Sequence, residues 1–162
     1  MNLPDERFAT PARFDANPLR SRVMPGRYYH DPAIYGREQG AIFQRTWQYV
    51  GHVSMLPEPG SFMVRDIGDQ SIVLLRDGGG RLRGFFNVCQ HRAHRLLEGE
   101  GRLGAPAITC PYYAWSYELT GALRTARGSE RVPGFDGTAF CLSPVRFDSF
   151  LGFIFVNLDG HA

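Results

Sequence analysis

The chain has few cysteines and little net charge. Three cysteines among 162 residues are too few, and odd in number, for the disulfide framework of a small secreted protein. A formal net charge of +2 gives no strong attraction to nucleic acid or to an anionic membrane surface. The composition therefore favours a reducing, cytoplasmic setting, with no nucleic-acid or membrane partner.

Long hydrophobic runs are also missing. No apolar stretch approaches the roughly 18 residues that a membrane-spanning helix needs. The N-terminus reads Met-Asn-Leu-Pro-Asp-Glu, which has neither the basic nor the apolar segment of a signal peptide. By contrast, 19 glycines and 11 prolines predict many turns and short elements. The length is sufficient for one domain with a hydrophobic core.

The N-terminal quarter of the sequence predicts an arm and one helix. Residues 1–27 contain four prolines and no hydrophobic periodicity, which is typical of an extended arm. Asp31 followed by Pro32 is a helix start, with Asp31 as the N-cap and Pro32 at the first helical position. The helical spacing of apolar residues continues to about Thr46. We therefore expect an N-terminal arm and helix over 1–46, and a separate domain over 47–162.

From residue 47 onward, the apolar pattern changes to that of short strands separated by turns. An unbroken apolar run at 72–75 predicts a central strand over 71–76, and the sequence Asp-Gly-Gly-Gly at 77–80 predicts a hairpin. Strands of this length and spacing are typical of an all-β sandwich or barrel. The predicted strands are 47–53, 62–67, 71–76, 82–88, 107–110, 116–119, 122–124, 140–147 and 151–158, with the last turn at 148–149.

Two short loops carry residues with metal-binding chemistry. Cys89 and His91 lie in the first, Cys110 begins the second, and eighteen residues separate His91 from Cys110. Thiolates are soft ligands and imidazole is borderline, so this mixed set suits zinc or an iron–sulfur cluster. A zinc ribbon usually spaces paired thiols about two to four residues apart, and neither loop contains two thiols. Cys141 lies in an apolar strand pattern and is interpreted as core packing.

The two loops together resemble the Rieske signature, Cys-x-His followed by Cys-x2-His, of the large subunits of Rieske non-heme iron oxygenases. This group includes aromatic-ring-hydroxylating dioxygenases and monooxygenases of the choline and betaine type. The matching segments are 89–94 and 110–117, and the similarity extends over nearly the whole chain. It implies an all-β, Rieske-type antiparallel β-sandwich with two cluster-binding hairpin loops and one N-terminal helix.

The resemblance also implies a cofactor and its ligands. A Rieske [2Fe–2S] centre has two thiolates on one iron and two imidazoles on the other. Cys89, His91 and Cys110 match three of these ligands, and Tyr113 stands where the family has its second imidazole. Tyr113 has three interpretations: a tyrosinate ligand to ferric iron, a bystander beside a labile cluster, or a substitution that abolishes the cluster. His94 is either a solvent-facing loop residue or a substitute for the missing imidazole.

The function implied by the resemblance is one-electron transfer. In this family the electron donor is a reductase or a ferredoxin, and the acceptor is a mononuclear iron site that lies outside the present residues. That site belongs to a catalytic domain, commonly in a neighbouring subunit of a homotrimer, and no catalytic residue is assigned here. The alternative is a cluster-deficient Rieske-fold module, empty or zinc-bound, with a structural or binding role. The sequence does not indicate a substrate.

Overall fold

The structure is a computed structural model that describes residues 15–21 and 23–160, without the side chain of residue 130. The described residues fall into two compact units, divided after residue 42. Most of the predicted N-terminal arm lies outside the described residues. Within the described range no helix is both long and apolar enough to cross a membrane.

Among the described residues one α-helix, α1, spans Pro32–Glu38 and begins where the sequence predicted. The carboxylate of Asp31 accepts a hydrogen bond from the backbone N–H of Ala33 at 2.9 Å, which caps the helix. The predicted end near Thr46 is wrong for the α-helix, because a π-helical turn, Gln39–Phe43, replaces it after Glu38. Gly36, inside the α-helix, weakens it by about 1 kcal/mol relative to alanine.

In its described residues the second unit has ten short strands, which form three antiparallel sheets, so the predicted all-β fold is confirmed. The sheets have the strand orders β1-β10-β9, β4-β3-β2-β5 and β6-β7-β8. The strands are β1 Gln48–His52, β2 Ser61–Ile67, β3 Gln70–Arg76, β4 Leu82–Phe86, β5 Glu100–Arg102, β6 Ala107–Thr109, β7 Ser116–Glu118, β8 Leu123–Thr125, β9 Arg146–Phe150 and β10 Phe153–Asn157.

Strand β3 is an interior strand of the four-stranded sheet, as its apolar run predicted. Successive side chains of a strand point to opposite faces of the sheet. Val73 and Leu75 therefore join one hydrophobic core, and Ile72 and Leu74 join another. The first core contains residues of β6–β8, and the second contains residues of β1, β9 and β10. The four-stranded sheet thus separates two cores, and the candidate metal-binding loops border the first.

In the last hairpin, the turn does not lie where the local sequence pattern predicted it. The prediction placed the turn at 148–149, but β9 continues to Phe150, and Leu151 and Gly152 form the turn. Their φ angles are +50° and +85°. Consecutive positive φ values are typical of the type I′ turn, which matches the twist of paired strands. Leucine rarely adopts this conformation, so Leu151 did not indicate a turn.

The exposure of Cys141 contradicts a second expectation. Its thiol is exposed, so the interpretation as a core residue is wrong. A short 3₁₀ turn, Gly137–Phe140, takes the first residue of the predicted strand 140–147, and β9 begins only at Arg146. Asp136 caps this turn by accepting a hydrogen bond from the backbone N–H of Thr138 at 2.9 Å.

Candidate metal centre

The first loop is a tight hairpin closed by two backbone hydrogen bonds. The N–H of Cys89 donates to the carbonyl of His94 at 2.8 Å, and the N–H of Ala93 donates to the carbonyl of Cys89 at 2.9 Å. Ala93 has a φ of +52°, which reverses the chain direction. Val88 and Arg95 pair across the base of the loop. The loop therefore presents residues 90–92 at its tip.

The second loop repeats this geometry 21 residues later. The N–H of Cys110 donates to the carbonyl of Trp115 at 2.7 Å, and the N–H of Ala114 donates to the carbonyl of Cys110 at 3.0 Å. Ala114 has a φ of +56°, and Thr109 pairs with Ser116 across the base. Because the pattern of bonds and the positive φ are the same, the two loops have matched backbone shapes and equivalent cysteines.

Both cysteines lie at the bottom of their loops. The side chains of Cys89 and Cys110 are 3% and 2% exposed, and both belong to the first hydrophobic core. Trp115 and Tyr117 are members of the same core. Buried thiols beneath two hairpin tips are suited to hold a metal that solvent reaches only from the tip side.

Tyr117 is a residue of the site to which the sequence assigned no role. Its hydroxyl lies 3.2 Å from the Sγ of Cys89 and accepts a hydrogen bond from the N–H of Gln90 at 3.0 Å. Burial is the largest cause that raises the pKa of Tyr117 above its usual value, followed by its hydrogen bond with Cys89. The phenol therefore stays protonated and can donate to a thiolate. Its position seven residues after Cys110, in a buried strand, was the available signal.

The outer part of the site consists of two aromatic side chains, each with an atom that can bind a metal. His91 is half-buried and Tyr113 is 44% exposed. Their ring centroids are 5.2 Å apart with an interplanar angle of 77°, so the predicted imidazole and the predicted fourth residue meet across the two loops. The guanidinium of Arg92 lies over the ring of Tyr113, 5.0 Å from its centroid.

Two aromatic stacks connect the loops. His91 lies parallel to Trp115, with centroids 4.7 Å apart and planes 7° apart. His94 stacks on Tyr112 at 5.6 Å and 28°. In each pair, one residue lies two positions after the cysteine of its own loop, and its partner lies five positions after the cysteine of the other loop. This symmetry follows from the matched shapes of the loops. His94 is exposed, in agreement with its interpretation as a solvent-facing residue.

Polar contacts fix the base of the first loop to the four-stranded sheet. Asn87 is 2% exposed, and its side chain donates to the carbonyl of Leu97 at 2.8 Å and accepts from the N–H of Leu97 at 3.0 Å. Arg95 bonds the hydroxyl of Ser71 at 2.7 Å and pairs with Asp66. The hydrogen bond from Arg95 is the main cause that lowers the pKa of Asp66.

The donor set has the composition that a two-iron cluster needs. Within the described part of the chain, no group of three or more His, Cys, Asp or Glu side chains converges on one metal position. Each iron of a Rieske centre needs only two protein ligands. Two buried thiols and, nearer the solvent, two half-exposed rings supply such pairs. The thiols and His91 have the donor chemistry of the cluster, and Tyr113 differs by offering a phenolic oxygen in place of nitrogen.

Comparison with known proteins agrees with this geometry. The profile of the Rieske [2Fe-2S] domain matches residues 46–136. The carnitine monooxygenase oxygenase subunit of Escherichia coli (strain K12) is 41% identical over 155 residues, which is 96% of this chain and 41% of that protein. The glycine betaine monooxygenase oxygenase subunit of Chromohalobacter salexigens is 35% identical over 159 residues, covering 95% of this chain and 35% of that protein.

Solved structures show the same relation. The quaternary ammonium Rieske monooxygenase CntA in complex with L-carnitine superposes with a TM-score of 0.84 at 37% identity, over 94% of this chain and 43% of that one. Naphthalene 1,2-dioxygenase from Rhodococcus sp. gives a TM-score of 0.79 at 31% identity, over 86% and 32%. The chain thus spans less than half the length of these relatives. It belongs to the Rieske [2Fe-2S] domain family.

Proposed function

We propose that this chain is the electron-transfer domain of a Rieske oxygenase large subunit. Its [2Fe–2S] cluster is held by Cys89 and Cys110 on the inner side and by His91 and Tyr113 on the outer side. The observation that carries the proposal is the pair of matched hairpin loops, with two buried thiols below two half-exposed rings that touch. On this proposal residues 47–162 form the Rieske domain.

Each neighbouring residue has a physical role at such a centre. The thiols bind iron as thiolates, and the buried hydroxyl of Tyr117 stabilises negative charge on Cys89 Sγ from 3.2 Å. Asn87 and Arg95 keep the first loop in register with the sheet. When bound, a cluster of this type accepts and passes on one electron, and its potential depends on hydrogen bonds to sulfur and on solvent exposure.

The solvent-exposed side of the site indicates where its partners bind. His91 and Tyr113 are the most solvent-accessible of the four proposed ligands, so a partner that docks on the loop tips comes nearest to the metal on their side. We assign a reductase or ferredoxin as the donor. The acceptor is a mononuclear iron site in a catalytic domain, commonly that of a neighbouring subunit in a homotrimer. Identity to carnitine and glycine betaine monooxygenase subunits favours a quaternary ammonium substrate for the whole enzyme.

Reconstitution with iron and sulfide tests the cluster. We expect about two irons and two labile sulfides per chain, a red-brown colour and a Rieske-type EPR signal. Cys110→Ser should abolish all three observations. Cys141→Ser is the matched control, because that thiol is exposed and distant in sequence from both loops, and it should leave them unchanged. Stoichiometric zinc without sulfide would contradict the proposal.

A pair of tyrosine variants tests the fourth ligand. Tyr113→Phe keeps the ring that contacts His91 but removes the only donor atom, so it should destabilise the cluster and change its EPR and visible spectra. Tyr112→Phe is the control, because Tyr112 precedes it in the same loop and is 55% exposed. Identical spectra and cluster lifetimes for Tyr113→Phe and wild type would show that the phenol is a bystander.

A further inference from the structure

The imidazole of His91 is held by aromatic rings from two directions. The indole of Trp115 lies parallel to it, with planes 7° apart and centroids 4.7 Å apart. The ring of Tyr113 meets it edge-on at 77°. A side chain in contact with a flat face and an edge has little freedom to rotate about its χ2 torsion, which is otherwise broad for histidine.

Trp115 is itself immobilised. Its side chain is 5% exposed and is contacted edge-to-face by Phe135 and Phe140, at centroid distances of 6.0 and 5.6 Å. Its carbonyl accepts the hydrogen bond from the N–H of Cys110 that closes the second loop. The indole therefore has a fixed position. It belongs to the loop that carries Cys110, and it contacts His91 of the other loop.

The indole of Trp115 brings a polar group into the hydrophobic core. The Nε1 of Trp115 is buried and has no hydrogen-bond partner in the described part of the chain. An unsatisfied buried donor destabilises the fold, and a phenyl ring would fill much of the same space without one. The equivalent stack of the other loop, His94 on Tyr112, is exposed and less parallel, at 28°. Of the two stacks, the buried and parallel one is therefore the one that contains the proposed ligand His91.

We propose that Trp115 is a positioning residue for His91: the parallel indole fixes the plane of the imidazole and so preorganises it for metal binding. This inference rests on the proposed function in taking His91 as a ligand. Residues that orient a metal ligand from behind commonly change metal affinity by about 10- to 100-fold when they are replaced. The stack is expected to act through retention of the cluster and not through the electron-transfer partners.

The test compares three variants of the full chain after reconstitution with iron and sulfide. Trp115→Leu removes the flat surface, Trp115→Phe keeps an aromatic ring but removes the N–H, and Phe140→Leu loosens the same aromatic group without touching His91. The measurement is the rate at which visible absorbance is lost to an iron chelator. We expect about a 10-fold faster loss for Trp115→Leu, and less than about 3-fold for the other two.

Thermal unfolding of the metal-free proteins separates positioning from stability. Trp115→Leu and Phe140→Leu should both melt at a lower temperature, whereas Trp115→Phe should melt near wild type because it loses the unpaired donor. If Trp115→Leu and Phe140→Leu release iron at equal rates after equal losses in melting temperature, Trp115 only packs and the inference is wrong.

NMR of the metal-free chain distinguishes failure of this inference from failure of the proposed function. The ring protons of His91 should show an upfield ring-current shift that Trp115→Phe largely retains and Trp115→Leu loses. If wild type assembles no cluster but shows this shift, the cluster proposal fails and the positioning of the imidazole stands. If the shift is absent in wild type, the indole does not hold His91 and the inference is overturned.

Discussion

Replacing Tyr117 with phenylalanine removes one oxygen atom from the interior of the site. That oxygen accepts the N–H of Gln90 at 3.0 Å and lies 3.2 Å from Cys89 Sγ, in a side chain that is fully buried. Phenylalanine fills the same space, so no large cavity results. Two hydrogen bonds are lost, and the N–H of Gln90 has no replacement acceptor in this position.

The expected effect on the metal-free fold follows from these contacts. An unsatisfied N–H costs about 1–3 kcal/mol, and the lost contact with sulfur adds a smaller amount, so we expect about 2–3 kcal/mol of destabilisation. At roughly 3 °C per kcal/mol for a domain of this size, the melting temperature should fall by about 8 °C. Tyr49→Phe is the control, because Tyr49 is 59% exposed in a different sheet, and it should shift melting little.

The effect on the cluster has a definite sign. An added electron increases the negative charge on the cluster, so a hydroxyl that donates to Cys89 Sγ stabilises the reduced form more than the oxidised form. With a difference of about 1 kcal/mol between the two states, and 1.4 kcal/mol per 59 mV for one electron, Tyr117→Phe should lower the potential by about 40 mV. A redox titration followed by EPR measures this. An unchanged or higher potential, with the cluster intact, would refute the reasoning.

The same residue predicts the behaviour of the fold in alkali. The pKa of Tyr117 is raised in the folded state, chiefly by burial, so the folded protein keeps its phenol proton after the unfolded chain has lost it. The contribution to stability is complete below the unfolded pKa of about 10 and is lost as the pH rises above it. Unfolding by urea at pH 8 and pH 11 should show a decrease in wild type that is smaller in Tyr117→Phe.

Three further predictions follow from other residues. Tyr113→His supplies a second imidazole, and we expect reconstitution to give a potential within the Rieske range of roughly −150 to +300 mV, above that of wild type; equal potentials would exclude Tyr113 as a ligand. Burial alone would raise the pKa of Asp77, but hydrogen bonds from its turn and from Arg83 outweigh it and lower the pKa. Stability from this carboxylate should therefore disappear as the pH falls below about 4, and Asp77→Asn should remove that dependence in urea titrations and cost about 2–3 kcal/mol at pH 7. Gly121→Ala would place a Cβ 2.5 Å from the ring of Phe85 at a φ of +92°, so we expect about 3 kcal/mol of destabilisation in thermal melts, and a melting temperature like that of wild type would contradict the packing.

Sequence alone identified the elements whose signals are local. Short apolar segments bounded by turn residues located β2 and β3, and a glycine-rich turn located the hairpin between β3 and β4. Cys89, His91 and Cys110 were proposed as ligands because the chemistry of metal binding restricts residue type and spacing within each loop. The N-cap at Asp31 was predicted for the same reason, since a cap acts on residues only two or three positions away.

Only the tertiary structure decided how distant segments meet. The contact of His91 with Tyr113 and Trp115 joins two loops 21 residues apart, and no local pattern encodes which ring lies on which. The hydroxyl of Tyr117 reaches Cys89 through the same pairing. Periodicity tells which face of a strand is buried but not which neighbour covers it. The sequence by itself therefore determined the four candidate ligands, and the packing of the sheets decided the geometry of the site, because side-chain contacts depend on the relative placement of whole elements.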